Sequence, residues 1–246
     1  MIKKRSLKAS VKQAAQTLLM GVFGMLLTPV LLNSSYLYLP VGTTIMLNFL
    51  YPTIVCVIMG TLFKAGFTRL QLIAVAASIL GMVFLTGGGS RMPVIGVIMA
   101  IASAFTYGIY LVANEKGPAN DLSIEVKLFF VSLPATVLFA VLTPATGTLV
   151  IPVGLTEWAM VIGGSGLFTV CGYFLMMFGI SKLGASTAAF VSMLEPIVSV
   201  VFGTIWFNDP ITIGIVAGGC LVMASILLIT IDGYQKGRQE GNALCS

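Results

Sequence analysis

One acidic residue, Glu195, lies inside a long apolar segment and is the side chain in this sequence best placed for membrane chemistry. It stands thirteen residues after Lys182 and fourteen before Asp209, so in a helix it would lie about 20 Å from either charged end, near the middle of a bilayer. A charge at that depth costs at least about 2.5 kcal/mol, which favours a functional role. The next residue, Pro196, disfavours helix at Glu195 and frees a backbone carbonyl. The alternative is a structural carboxyl group that hydrogen-bonds a neighbouring helix and holds the kink.

A second proline, Pro52, follows Tyr51 inside another apolar segment. Asn48 lies about one helical turn earlier, on the same face. We expect Asn48 and Tyr51 to line a cavity and to offer hydrogen bonds to a substrate. The alternative for Asn48 alone is a polar contact between helices, worth only about 0.6 kcal/mol on average in a membrane.

Other polar side chains are predicted to extend the same cavity. Ser192 and Ser199 flank Glu195 at helical spacing and so share its face. Two polar and aromatic stripes are expected to supply further walls: Ser103, Tyr107 and Tyr110 in the fourth apolar segment, and Thr169 and Tyr173 in the sixth. Packing between helices is the alternative for each stripe.

Several kinds of catalytic site are excluded by composition. The sequence contains no histidine, which removes His-based nucleophile pairs, His-ligated metals and His proton relays. It shows no acid pair, no cluster of metal ligands and no nucleophile with a base. We therefore expect no enzyme activity, no catalytic residue, no metal and no cofactor. The nucleotide-binding pattern GxxxxGK[ST] is also missing, so ATP-driven transport within this chain is not expected.

The composition places the whole chain in a membrane. Of its 246 residues, 58% are hydrophobic and 9% charged, against about 25% charged in soluble domains. Soluble enzymes, nucleic-acid binders and disordered proteins are excluded. Long continuous apolar runs predict helices rather than a β-barrel. We expect an all-α polytopic bundle of about eight transmembrane helices, at 14–38, 42–63, 70–88, 93–113, 126–146, 156–180, 184–207 and 211–231. The first is interrupted by Thr28-Pro29 and by Asn33-Ser34-Ser35.

The basic residues indicate the orientation. With a cytoplasmic N-terminus, twelve of the thirteen Lys and Arg residues fall inside and only Arg91 falls outside, as the positive-inside rule requires. We therefore expect a multi-pass protein of the bacterial cytoplasmic membrane with both termini in the cytoplasm. The net charge of +5 then reflects topology and attraction to anionic lipid, and indicates no nucleic-acid partner.

Small residues recur every four positions, which in a membrane lets helix backbones approach closely. Three such stripes are Ala100, Ala104 and Gly108, then Ala185 and Ala189, then Gly214 and Gly218.

An internal repeat relates segment 42–86 to segment 186–230. Each copy reads as a proline-interrupted helix, a short polar turn and another helix. By the charge pattern the two turns lie on opposite sides of the membrane, so the copies are inverted, a feature of secondary transporters. The matched residues are Thr43, Leu50, Pro52, Val57, Phe63 and Thr68 in the first copy, and Thr187, Leu194, Pro196, Val201, Phe207 and Thr212 in the second.

Two stretches carry a family resemblance. LNFLYPTIVCVIMGTLF at 47–63 and VSMLEPIVSVVFGTIWFNDPIT at 191–212 resemble the repeat signatures of EamA-type transporters in the drug/metabolite transporter superfamily. That resemblance implies ten helices in two inverted five-helix repeats around a central cavity. The family often has an acidic residue where this chain has Lys64, and Asp209 occupies the corresponding place in the second copy.

The eight predicted helices match family helices three to ten, a 3+5 version of the 5+5 arrangement. This gives an incomplete first repeat at 1–88, a second repeat at 92–232 and a cytoplasmic tail at 233–246. We expect the chain to be a fragment, to have a late assigned start, or to be a shortened form.

The resemblance implies a secondary transporter that exports small metabolites, amino acids or drugs by alternating access, with membrane lipid around it. If the chain is shortened, a homodimer or a partner chain is expected to complete it. The alternative function is a non-transporting membrane protein with a structural or assembly role.

Overall fold

The computed structural model describes residues 10–63, 66–87, 92–116, 122, 124–147, 151–167 and 194–244. The regular elements in these ranges are helical. They are α1 (Val11–Gly21), α2 (Thr28–Ser35), α3 (Val41–Asn48), α4 (Tyr51–Thr61), α5 (Arg69–Gly87), α6 (Val94–Lys116), α7 (Ile124–Ala145), α8 (Leu155–Met160), α9 (Leu194–Phe207) and α10 (Ile213–Leu244), with π-helical turns at Val22–Leu27 and Val161–Leu167.

Five stretches of the described chain are long and apolar enough to cross a membrane: Val11–Ser35, Val41–Thr61, Arg69–Thr86, Val94–Asn114 and Ile213–Gln235. Two shorter apolar helices, Phe129–Ala145 and Glu195–Phe207, fall within the fifth and seventh predicted segments. The sixth predicted segment is described only as far as Leu167. The all-α, polytopic membrane fold is thus confirmed, whereas the division into repeats at 1–88 and 92–232 stays a prediction.

The first predicted span is confirmed, and it continues as a helix through Pro29. A π-helical turn at Val22–Leu27 widens the helix just before this proline, which removes the clash that a proline ring makes within an ordinary α-helix. The hydroxyl of Thr28 donates to the carbonyl of Phe23 at 2.8 Å and lies 2.7 Å from the hydroxyl of Thr106 on α6. The polar hydroxyl of Thr28 is therefore satisfied within the membrane by hydrogen bonds to its own helix and to α6.

Helix α6 lies at the centre of the described bundle, in contact with α1, α2, α3 and α4. Its small residues Ala100 and Ala104 are fully buried. A β-carbon at Gly108 would lie 3.1 Å from the side chain of Ile54 on α4. The predicted small-residue face of this segment is therefore confirmed as a packing surface.

Helices α5 and α10 form the most extensive helix pair, and glycines set their separation. A β-carbon at Gly218 would lie 2.6 Å from the Gly81 carbonyl oxygen, closer than real β-carbons approach. Nearby, Leu85 and Val222 are fully buried. The Gly218 stripe is thus confirmed, whereas Ala185 and Ala189 lie outside the described residues.

The cytoplasmic tail at 233–246 stays a prediction, and its described part is helical. Helix α10 extends to Leu244, because no proline follows the apolar segment and the tail residues Gln, Lys, Arg and Glu are good helix formers. The fall in hydropathy after the segment 211–231 marks the end of the membrane span, whereas helix α10 continues beyond it.

Candidate functional site

The first proline break lies where the sequence placed it. Helix α3 ends at Asn48 and α4 begins at Tyr51, with Pro52 in the first turn of α4. A proline is tolerated there because its missing N–H would have no partner within the helix. The break turns the polar residues at its edges toward the neighbouring helix α6.

Asn48 contacts α6 through its side-chain amide. Its Nδ2 donates a hydrogen bond to the hydroxyl of Ser103 at 2.9 Å, and that hydroxyl donates in turn to the carbonyl of Ala100 at 2.6 Å. Ser103 is fully buried whereas Asn48 is partly buried. The structure thus joins two predicted cavity residues and shows the interhelical contact that was the alternative for Asn48.

Replacing Ser103 by alanine should cost stability because the amide of Asn48 then loses its partner. We expect a loss of about 0.6 kcal/mol, the usual size of such a bond in a membrane, in the unfolding of purified protein. Ser225→Ala is the matched control, since Ser225 is also fully buried and donates to the carbonyl three residues earlier, Val222. Equal losses in the two variants would contradict a contribution from Asn48.

Three tyrosines form an aromatic group beside this amide. The rings of Tyr51 and Tyr107 meet edge to face with centroids 4.8 Å apart, and Tyr107 stacks on Tyr110 at 5.8 Å. Tyr51 and Tyr107 are partly buried, while Tyr110 is 8% exposed. The predicted stripe on α6 and the predicted residue of the first break therefore belong to one cluster.

Glu195 lies in the first turn of α9, next to the fully buried Pro196. Its side chain is exposed and interacts electrostatically with the phenol groups of Tyr36 and Tyr51. Pro196 thus lies at a helix start, as Pro52 does. Glu195, beside Pro196, interacts with Tyr51, beside Pro52.

Tyr36 was missed by the sequence analysis. It follows α2 directly, after the polar stretch that was interpreted only as an interruption. Nothing local in the sequence pairs Tyr36 with Glu195, because their electrostatic interaction depends on how the span Val11–Ser35 packs against the rest of the bundle.

The remaining predicted site residues divide into two groups. Ser199 lies on α9 and is partly buried, one turn beyond Glu195. Ser192, Tyr173 and Thr169 lie outside the described residues, so their place at the cavity stays a prediction.

The described groups at the two breaks are one carboxylate, several phenol groups and an amide, and together they are the candidate site. Within the described ranges Glu195 has no ion-pair partner, and the described basic side chains, Lys12 and Arg69, lie in the first turns of α1 and α5. The same ranges contain no group of three or more acidic or cysteine side chains able to hold a metal ion. In such a site the carboxylate can pair with a positively charged group, and the faces of the tyrosine rings can make cation–π contacts with it.

The helices that carry the two breaks also touch each other. Gly42 of α3 packs against Val200 of α9, where a β-carbon on Gly42 would lie 2.6 Å from Val200 Cγ2 and 3.0 Å from its Cα. One end of the site is thus closed by direct contact between α3 and α9.

Known proteins match most of this chain. An uncharacterized transporter of Synechocystis sp., sll1319, is 30% identical over 223 residues, which cover 85% of this chain and 65% of the relative. An uncharacterized transporter of Bacillus subtilis, YvbV, is 25% identical over 212 residues, covering 83% of this chain and 68% of the relative. The chain therefore spans slightly less than two thirds of the Synechocystis relative's length.

A chain in a solved crystal structure shares the fold. The two superpose with a TM-score of 0.51 at 19% sequence identity, over 89% of this chain and 77% of the other. The sequence model of the EamA-like transporter family matches residues 1–87 and 94–231, which confirms the resemblance found in the two proline-containing stretches. This chain belongs to the EamA-like transporter family.

Proposed function

We propose that this protein is a secondary transporter that exports small metabolites, amino acids or drugs across the bacterial cytoplasmic membrane. The observation that carries the proposal is the pair of proline breaks, Pro52 at the start of α4 and Pro196 in the first turn of α9, on helices that pack against each other where Gly42 meets Val200. Broken helices that meet near the middle of a bilayer are where secondary transporters bind substrate. Membership of the EamA-like transporter family supports the same function.

The mechanism that we propose is alternating access between two inverted repeats, at about 1–88 and 92–232. The two stretches matched by the family, 1–87 and 94–231, support that division. In this scheme both termini are cytoplasmic, and α3 and α9 move apart at one end of the site while the other end closes.

The charge of the site favours substrates that carry an amino group. A positive group beside Glu195 would neutralise a carboxylate that is costly to hold in a membrane, and the Tyr51 and Tyr107 rings would contact it through their faces. Amino acids and amphipathic amines both meet this requirement. Export of an organic acid without an amino group is not expected.

The test is reconstitution of the purified chain into liposomes, followed by a transport screen with amines, amino acids and organic acids. We expect transport of at least one compound with an amino group, inhibition by other amines, and no competition from organic acids. Competition by organic acids alone would contradict the charge argument.

Absence of transport for every compound in the screen would instead favour the non-transporting structural or assembly role. The mass of the purified protein in detergent should be measured on the same sample, because a homodimer or a partner chain also stays a prediction.

A further inference from the structure

The turn after α9 brings a carboxylate onto the first residue of α3. Asp209 Oδ2 accepts a hydrogen bond from the backbone N–H of Val41 at 2.8 Å. The residue before α3 is Pro40, whose side chain has no acceptor to cap the helix. Asp209 therefore supplies, from a distant part of the chain, the acceptor that an N-cap residue normally provides.

The backbone around Asp209 is arranged for this contact. Asn208 adopts a left-handed conformation with φ of 53°, which asparagine tolerates at the end of a helix. The N–H of Asp209 donates to the carbonyl of Gly203 at 3.1 Å. Gly203 also leaves room for the carboxylate, since a β-carbon there would lie 2.6 Å from Asp209 Oδ2. The backbone bond to Gly203 thus fixes the position of Asp209, and the missing side chain of Gly203 leaves space for its carboxylate.

The hydrogen bond closes the same end of the site as the contact between Gly42 and Val200. Thr43 lies behind it, fully buried, with a hydroxyl that has no hydrogen-bond partner among the described residues. The side chains of Thr43, Thr204 and Asp209 line a small cavity there. Separation of α3 from α9 would expose Thr43 to water.

We propose that the hydrogen bond from Val41 to Asp209 is a latch that holds α3 against α9 in the closed state of this end of the bundle. Its part in transport rests on the proposed function, with Asp209 as a positioning residue for the opening step. The latch itself is a property of the fold. With cytoplasmic termini, the end that it closes is the external one.

Thiol labelling tests the latch without any substrate. Thr43→Cys is introduced into a chain whose Cys56, Cys171, Cys220 and Cys245 are alanine, and permeabilised membranes are treated with a hydrophilic maleimide. We expect Asp209→Ala to raise the labelling rate about fivefold, the factor that corresponds to loss of a typical N-cap. Asp209→Asn should leave the rate unchanged, because asparagine caps helices as well as aspartate does.

A second variant opens the latch with Asp209 still present. Gly203→Ala places a methyl carbon 2.6 Å from Oδ2, too close for a real contact. The carboxylate must then shift away from Val41, and labelling should rise as it does in Asp209→Ala. Ser225→Cys, fully buried in α10, should stay unreactive in every variant. If the cysteine at position 225 reacts in Asp209→Ala, that variant has unfolded. The test of the latch then rests on the labelling of Gly203→Ala.

Two results would overturn the latch: unchanged labelling at Thr43→Cys when the contact is removed, or equal increases in Asp209→Asn and Asp209→Ala. Neither depends on transport. Transport of amines together with unchanged labelling would reject the latch and support the proposed function. The expected labelling without any transport would support the latch and reject the proposed function.

Discussion

Glu195→Gln is expected to lower transport about 100-fold in reconstituted vesicles. Glutamine keeps the shape of the side chain and its ability to hydrogen-bond, but it cannot carry a charge. A hydrogen bond to a charged group contributes about 1.5–3 kcal/mol, and loss of 2.7 kcal/mol corresponds to a factor of about 100. The variant should also lose any pH dependence of transport, because the titrating group of the site is gone. The transport rate and its pH dependence are both obtained from initial rates measured at several pH values.

Two further variants separate the charge of Glu195 from general effects. Glu195→Asp keeps the carboxylate and should retain part of the activity. Glu157→Gln makes the same change at an acid in the first turn of α8, where the carboxylate accepts a hydrogen bond from the N–H of Val153; it should transport like the unmodified chain. Normal rates and unchanged pH dependence in Glu195→Gln would show that the carboxyl group is architectural.

The features that the sequence analysis predicted correctly are those with a local cause. Pro52 and Pro196 mark helix starts because a proline has no N–H to donate and its ring clashes with the preceding helical turn, so the first turn is where it fits best. The stripes at Ala100 and Gly218 were recognisable because helical periodicity alone puts their members on one face. At Pro29 a second local element, the π-helical turn just before it, lets the first span continue through the proline.

Contacts between distant segments could not be predicted in this way. The bond between Asn48 and Ser103 depends on the rotation of α6 about its axis. The capping of α3 by Asp209 depends on the crossing of α3 and α9. The sequence showed Asp209 as a charged helix end and as the counterpart of Lys64. It did not show that Asp209 accepts a hydrogen bond from α3, because that role depends on Pro40 far away in the chain.

Gly218→Ala is expected to destabilise the folded protein more than other single methyl additions in α10. The new β-carbon would lie 2.6 Å from the Gly81 carbonyl oxygen and 2.8 Å from the backbone nitrogen of Leu85. Because both are backbone atoms, the clash can be relieved only if α5 and α10 move apart. Overpacking of this kind costs about 1–3 kcal/mol, which should lower the thermal midpoint in detergent by about 5 °C.

Gly233→Ala is the matched control in the same helix, since a β-carbon there meets no atom within 4 Å. It should leave the midpoint unchanged or raise it, because alanine is the better helix former by about 1 kcal/mol. The paired variant Gly218→Ala with Leu85→Ala should not recover stability, as trimming the Leu85 side chain leaves the backbone clash in place. Recovery in that pair would mean that side-chain volume, rather than the approach of two backbones, sets the distance between α5 and α10.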